Sequence, residues 1–109
     1  MRRAARVDQN QGEIVAALRA AGCSVVSLAA VGKGVPDLLV GLRGTNRLLE
    51  VKDGSKPPSA RRLTPDQRDW HMTWAGQVLT VTSAQDALEQ LGLVNCAGVA
   101  VVELRGVVR

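Results

Sequence analysis

Gly34-Val35-Pro36-Asp37-Leu38-Leu39-Val40-Gly41-Leu42-Arg43-Gly44-Thr45-Asn46-Arg47-Leu48-Leu49-Glu50-Val51-Lys52 is the stretch that decides how this 109-residue chain is read. Two short apolar runs flank the turn-like Arg43-Gly44-Thr45-Asn46, which is the signature of a β-hairpin. The first run opens on Asp37, and the second closes on Glu50 and Lys52. Alternate residues of a strand share a face, so Glu50 and Lys52 point together while Val51 points into the other layer. A register bulged or splayed near the open end brings Asp37 within reach of Glu50. Taken singly, Asp37 reads equally as a turn carboxylate after Pro36, and Glu50 and Lys52 as a salt-bridged edge pair. Their embedding in apolar sequence on adjacent strands argues against those readings jointly. Two carboxylates and an ammonium are costly to gather at a strand end unless something uses them, and a divalent cation is the use their chemistry offers.

Composition bounds the rest. A chain of this length with 46% hydrophobic residues and a mean hydropathy of +0.04 is one folded domain rather than a disordered segment. Trp70 and Trp74 are its only aromatic residues, so Val, Leu and Ala must build the core. A net charge of +4 and a pI of 9.8 lean toward a polyanionic partner. Cys23 and Cys96 have no metal-ligand spacing and read as buried free thiols. Nothing resembles a secretory signal, and the expected location is the cytoplasm. No apolar run approaches the roughly 20 residues a membrane span needs, so no membrane partner is expected.

Upstream of the hairpin, residues 1–7 carry Arg2, Arg3 and Arg6 and read as a flexible basic arm, either solvated or touching the phosphates of a polyanionic backbone. Asp8 can cap a helix expected from Gln9 to Ala21 and stopped by Gly22. Helical spacing puts Ile14, Val15 and Leu18 inward together with Gln11, with Asp8 in the same sector and Glu13 on the surface. Cys23 to Leu28 reads as a strand. Gly32-Lys33-Gly34 sets a lysine between glycines just before the hairpin, without the pattern of a Walker loop.

Downstream, Asp53 to Arg62 is a long polar loop carrying Lys56, Arg61 and Arg62, the candidate phosphate contacts together with Lys33. Thr64-Pro65-Asp66-Gln67 has the arrangement of a capping box with proline in the first turn. The helix it opens is expected to run to about Ala75, with Gln67, Trp70, His71 and Trp74 on one face. His71 reads as a packing or partner-facing residue there, and the tryptophans as core or dimer contacts. A strand from Gln77 to Val81 and a short helix capped by Ser83 and stopped by Gly92 follow. Val99 to Leu104 fits an edge strand, a segment exchanged with a partner, or an appended tail. This order predicts an α/β domain over residues 8–92, a mixed sheet flanked by helices, with residues 93–109 as an extension.

Hydrolysing a phosphodiester requires offsetting the charge that develops on phosphoryl oxygens and making water nucleophilic at neutral pH. Carboxylate oxygens favour Mg²⁺ or Mn²⁺, and such an ion can do both. A lysine supplies a compact positive charge for the transition state. At these residues the sequence resembles the PD-(D/E)xK nucleases through Pro36-Asp37 and Glu50-Val51-Lys52. More narrowly, Gly34-Val35-Pro36-Asp37-Leu38, Glu50-Val51-Lys52 and Leu63-Thr64-Pro65-Asp66-Gln67 with Trp70 resemble the VRR-NUC family, including its short stand-alone phage and bacterial members. The resemblance spans roughly Asp8 to Leu91. It implies a restriction-endonuclease-like core, with Asp37, Glu50 and the Val51 carbonyl as metal ligands and Lys52 as the catalytic lysine. It also implies that Gln67 borders the site and that Asp8, through water, and Gln11 serve as the first-helix acidic and glutamine pair. Members are similar to Holliday-junction resolvases, so the expectation is a Mg²⁺- or Mn²⁺-dependent endonuclease on branched DNA, acting as a homodimer. Nicking or exonuclease action on linear ends, and a non-catalytic DNA-binding module, are the alternatives.

Overall fold

The computed structural model describes residues 8–94; the arm at residues 1–7, Cys96 and the stretch from Val99 to Leu104 lie outside them. The hairpin forms as strands β2 (Leu38–Leu42) and β3 (Thr45–Val51). Its loop is shorter than the sequence suggests. Arg43 and Gly44 alone make the turn, both with positive φ (52° and 80°), the backbone of a two-residue turn that matches strand twist. Thr45 and Asn46 already pair in the ladder. Leu38 pairs with Leu49, so the regular register sets Asp37 opposite Glu50, and no bulge is needed.

Strand β1 (Ser24–Ser27) pairs antiparallel with β2, and β4 (Leu79–Val81) pairs parallel with β3, giving a mixed sheet in the order β1-β2-β3-β4. A parallel pair needs a crossover. The basic loop, a 3₁₀ turn at Pro58–Arg61 and helix α2 (Pro65–Thr73) supply it.

Two helices, α1 (Gln11–Ala20) and α3 (Ala84–Gln90), cover one sheet face. Ile14, Leu18, Ala87 and Leu91 close there on Leu38, Val40, Leu49, Val51 and Val81. Helix α1 begins two residues later than expected. Asn10, not Asp8, occupies the N-cap position, and the Asp8 carbonyl accepts from the Gln11 N–H at 3.1 Å. Its end is as read: Gly22 adopts φ +97°, Gly22 N–H bonds Arg19 O, and Cys23 N–H bonds Leu18 O, closing the Schellman motif. Cys23 is a buried free thiol whose pKa is raised by burial.

The opposite face carries Asp37, Leu39, Leu48, Glu50 and Lys52, and α2 lies beside it. Strand β2 is therefore not sealed on this side, since Leu39 stays half-buried. Helix α2 buries none of its residues completely. An apolar hollow of about 490 Å³ separates Leu39 and Leu48 from Trp70 and Trp74.

Candidate active site

The site stands at the open end of the hairpin, where β2 begins and β3 ends. Asp37 and Glu50 are buried although both are carboxyls. Asp37 Oδ2 accepts the Val51 N–H at 2.7 Å, doing for β3 what a ladder carbonyl does further along the sheet. Lys52 N–H bonds Val81 O on β4, so the carbonyl of Val51, one residue back, faces the Asp37 side.

Helix α2 adds the third wall. Thr64 caps it through the Gln67 N–H at 3.2 Å, and Gln67 Oε1 accepts the Thr64 N–H at 2.9 Å, completing the predicted capping box. The same Oε1 accepts from Lys52 Nζ at 2.7 Å, and Gln67 Nε2 donates to Glu50 Oε2 at 3.0 Å. One side chain thus ends a helix and bridges the ammonium to the carboxylate. Lys52 Nζ lies 4.0 Å from Glu50 Oε2.

Burial and the neighbouring Asp37, through its charge and a hydrogen bond, push the Glu50 pKa up to about 8, against the opposing pull of Lys52. Asp8 adds to the rise, which places its carboxylate in electrostatic reach of the site. Glu50 Oε1 is buried and has no hydrogen-bond partner. Gln11 is buried, as read from its helical position, and its Oε1 also lacks a hydrogen-bond partner. Glu13 is exposed.

This donor set fits a hard divalent cation: two adjacent carboxyls, a free buried carboxylate oxygen and a carbonyl at the strand end. Among the described residues no three His, Cys, Asp or Glu side chains gather at ligand spacing. A cation here would complete its shell with carbonyl and water oxygens, as Mg²⁺ habitually does.

Two residues reached the site without being read as members of it. His71, one turn beyond Gln67, turns its Nε2 to 3.7 Å from Glu50 Oε1; burial first, and then Lys52, lower its pKa. Its spacing on the Gln67 face was the available signal. Asn10 donates from Nδ2 to Lys52 O at 3.1 Å and to Thr82 O at 3.0 Å, pinning the start of α1 to the ends of β3 and β4. Lys33, Lys56 and Arg62 are exposed, and Arg61 is half-buried with an unpartnered Nε. The loop that carries Lys56, Arg61 and Arg62 begins one residue beyond Lys52, whereas Lys33 precedes β2.

Gly34 fixes α2 to the hairpin. Its φ is +81°, and a Cβ there would overlap the Asp66 carbonyl and stand 3.0 Å from Gln67 N. The backbone at the first turn of α2 can approach this closely only because position 34 has no side chain.

No family model matches the sequence, and no curated protein matches it. Among solved structures, one described as a VRR_NUC domain superposes with a TM-score of 0.56 at 26% identity, over 77% of this chain and 96% of that chain. A mixed sheet flanked by helices, with Asp37 and Glu50-x-Lys52 at adjoining strand ends, defines a restriction-endonuclease-like domain. Within that class the chain is similar to VRR-NUC nuclease domains. No helix among the described residues is long and apolar enough to cross a membrane.

Proposed function

We propose that this chain is a divalent-metal-dependent endodeoxyribonuclease that cuts branched or structured DNA as a homodimer. The observation that carries the reading is the convergence of Asp37, Glu50, Lys52 and Gln67 on one end of one sheet face, with a buried Glu50 oxygen left without a donor.

Asp37, Glu50 and the Val51 carbonyl are the groups that would hold Mg²⁺ or Mn²⁺, with Asp8 acting through water. When bound, the cation supplies positive charge at the scissile phosphate and lowers the pKa of a water. Lys52 offers a point charge to the phosphoryl oxygens as they become more negative, a contribution realised mainly in the transition state. Gln67 keeps the ammonium aimed by holding it at 2.7 Å and, through its amide N–H, keeps one Glu50 oxygen occupied and the carboxylate oriented. Gln11 stands in support on α1. Lys33, Lys56, Arg61 and Arg62 contact flanking phosphates, joined by Arg2, Arg3 and Arg6.

A branched junction offers two related strands, and each chain carries one such site, so paired incision requires two copies related by a two-fold axis. The hollow between Leu39, Leu48, Trp70 and Trp74, with Trp74 46% exposed, gives a second copy an apolar surface to cover.

Cleavage assays on junction, flap, linear duplex and single-stranded DNA with Mg²⁺ or Mn²⁺ test the reading. Junctions should be cut in preference and only with a divalent ion. Preference for linear ends would indicate nicking or exonuclease action instead. Binding of junction DNA without divalent-dependent cleavage of any substrate by folded protein would leave a non-catalytic DNA-binding module.

A further inference from the structure

Helix α2 brings a nitrogen donor to the free oxygen of Glu50. His71 is the only histidine in the chain, and its side chain is 15% exposed. Its Nε2 and Glu50 Oε1 are both buried without a hydrogen-bond partner, and they face one another at 3.7 Å. The other Glu50 oxygen is occupied by Gln67 Nε2. The two unpartnered atoms where α2 meets β3 are therefore an oxygen and a nitrogen.

That separation is longer than a hydrogen bond and suits two donors sharing one ion. Donors each about 2.1 Å from an ion stand about 3.0 Å apart at a right angle and about 4.2 Å apart when opposed, and 3.7 Å lies between these limits. The ring is held in place from two sides. Trp70 meets it edge-on at 6.0 Å between centroids, and the helix that carries it is locked to the strands through Gln67.

We propose that His71 Nε2 is a ligand-selectivity residue of this site, joining Glu50 Oε1 on the bound cation and shifting its preference from Mg²⁺ toward nitrogen-accepting ions such as Mn²⁺, Co²⁺ and Zn²⁺. The inference rests on the metal-dependent reading above and goes beyond it in naming the ion class. Carboxylate and carbonyl oxygens alone suit Mg²⁺ and Mn²⁺ alike, whereas imidazole suits the later transition metals and Mg²⁺ rarely takes nitrogen.

The test is calorimetry of Mn²⁺ and Mg²⁺ binding to untagged wild type and His71→Phe, with folding checked by circular dichroism. The phenyl ring keeps the volume and removes both nitrogens. Mn²⁺ affinity should fall about tenfold or more, while Mg²⁺ affinity should change by less than about threefold. Equal losses for the two ions would mean that His71 only orients Glu50, and would overturn the proposal. So would unchanged affinity for both. A second measurement needs no variant. In wild type labelled with ¹⁵N-histidine, Zn²⁺ should move the Nε2 resonance to a metal-bound position and saturate at one ion per chain. An Nε2 resonance that stays in place while Zn²⁺ binds would overturn the ligand role alone. Failure of wild type to bind any of these ions would remove the metal-dependent reading as well.

Discussion

Glu50 couples the protein's stability to pH when no cation is bound. Its pKa stands at about 8 in the fold against an ordinary 4.5, because it is buried beside Asp37. Between those two values the folded chain holds a proton that the unfolded chain has released, so stability falls as pH rises across that window. Thermal unfolding followed by the fluorescence of Trp70 and Trp74 at pH 5, 6.5 and 8 should show this decline in metal-free protein. Glu50→Gln keeps a donor for Asp37 and cannot ionise, so its decline should be smaller; an identical slope in the two proteins would assign the effect elsewhere. Cation binding needs the ionised carboxylate, so affinity should rise with pH up to about 8 and then level. Lys52→Ala tests a different role. Metal affinity should stay near wild type while kcat drops by about a hundredfold or more, because the ammonium matters most when phosphoryl charge is largest. A fall in kcat/KM that comes wholly from KM would make Lys52 a substrate-binding group instead.

Helix α2 joins its own cap to the position of Lys52, the proposed catalytic lysine, through its first turn. Gln67 Oε1 serves the Thr64 N–H and Lys52 Nζ at once. Thr64→Ala removes the cap and should cost about 1 kcal/mol of stability, seen as a lower urea midpoint. It should also slow cleavage, since the start of the helix aims the lysine; full activity despite the reduced stability would uncouple the two. This part of the site was legible because a capping box is a local pattern, read from four consecutive residues. The hairpin was legible for the same reason, from two apolar runs and a turn. The start of α1 was not, because Asp8 and Asn10 are both good capping residues. The choice between them is made by Lys52 O and Thr82 O, which Asn10 reaches across 42 and 72 residues of sequence. The approach of His71 to Glu50 was illegible for a related reason. Helical spacing puts His71 on the Gln67 face, but where that face lies against the sheet depends on the Gly34 approach and the crossover length. Asp37 and Glu50 needed less help than expected, since regular pairing from a two-residue turn already sets them opposite one another.

At the scale of the molecule, one sheet face is sealed by α1 and α3 while the other holds the site and an apolar hollow. Light scattering at micromolar concentration should give the mass of two chains. A mass of one chain, both free and with junction DNA bound, would remove the dimer and with it the paired cut. Neutralising Lys56, Arg61 and Arg62 together should weaken binding to every DNA substrate and lower the salt slope by roughly one unit for each phosphate no longer neutralised. An unchanged slope would put the crossover loop away from DNA. The close approach of Gly34 to the Asp66 carbonyl has a consequence for genetics. In a saturation-mutagenesis screen scored by survival, position 34 should be depleted as severely as Glu50 or Lys52, although it carries no functional group. A screen scored by soluble expression should separate them: the Gly34 variants lose yield as the helix is pushed away, whereas Lys52→Ala is produced normally and only the survival screen rejects it.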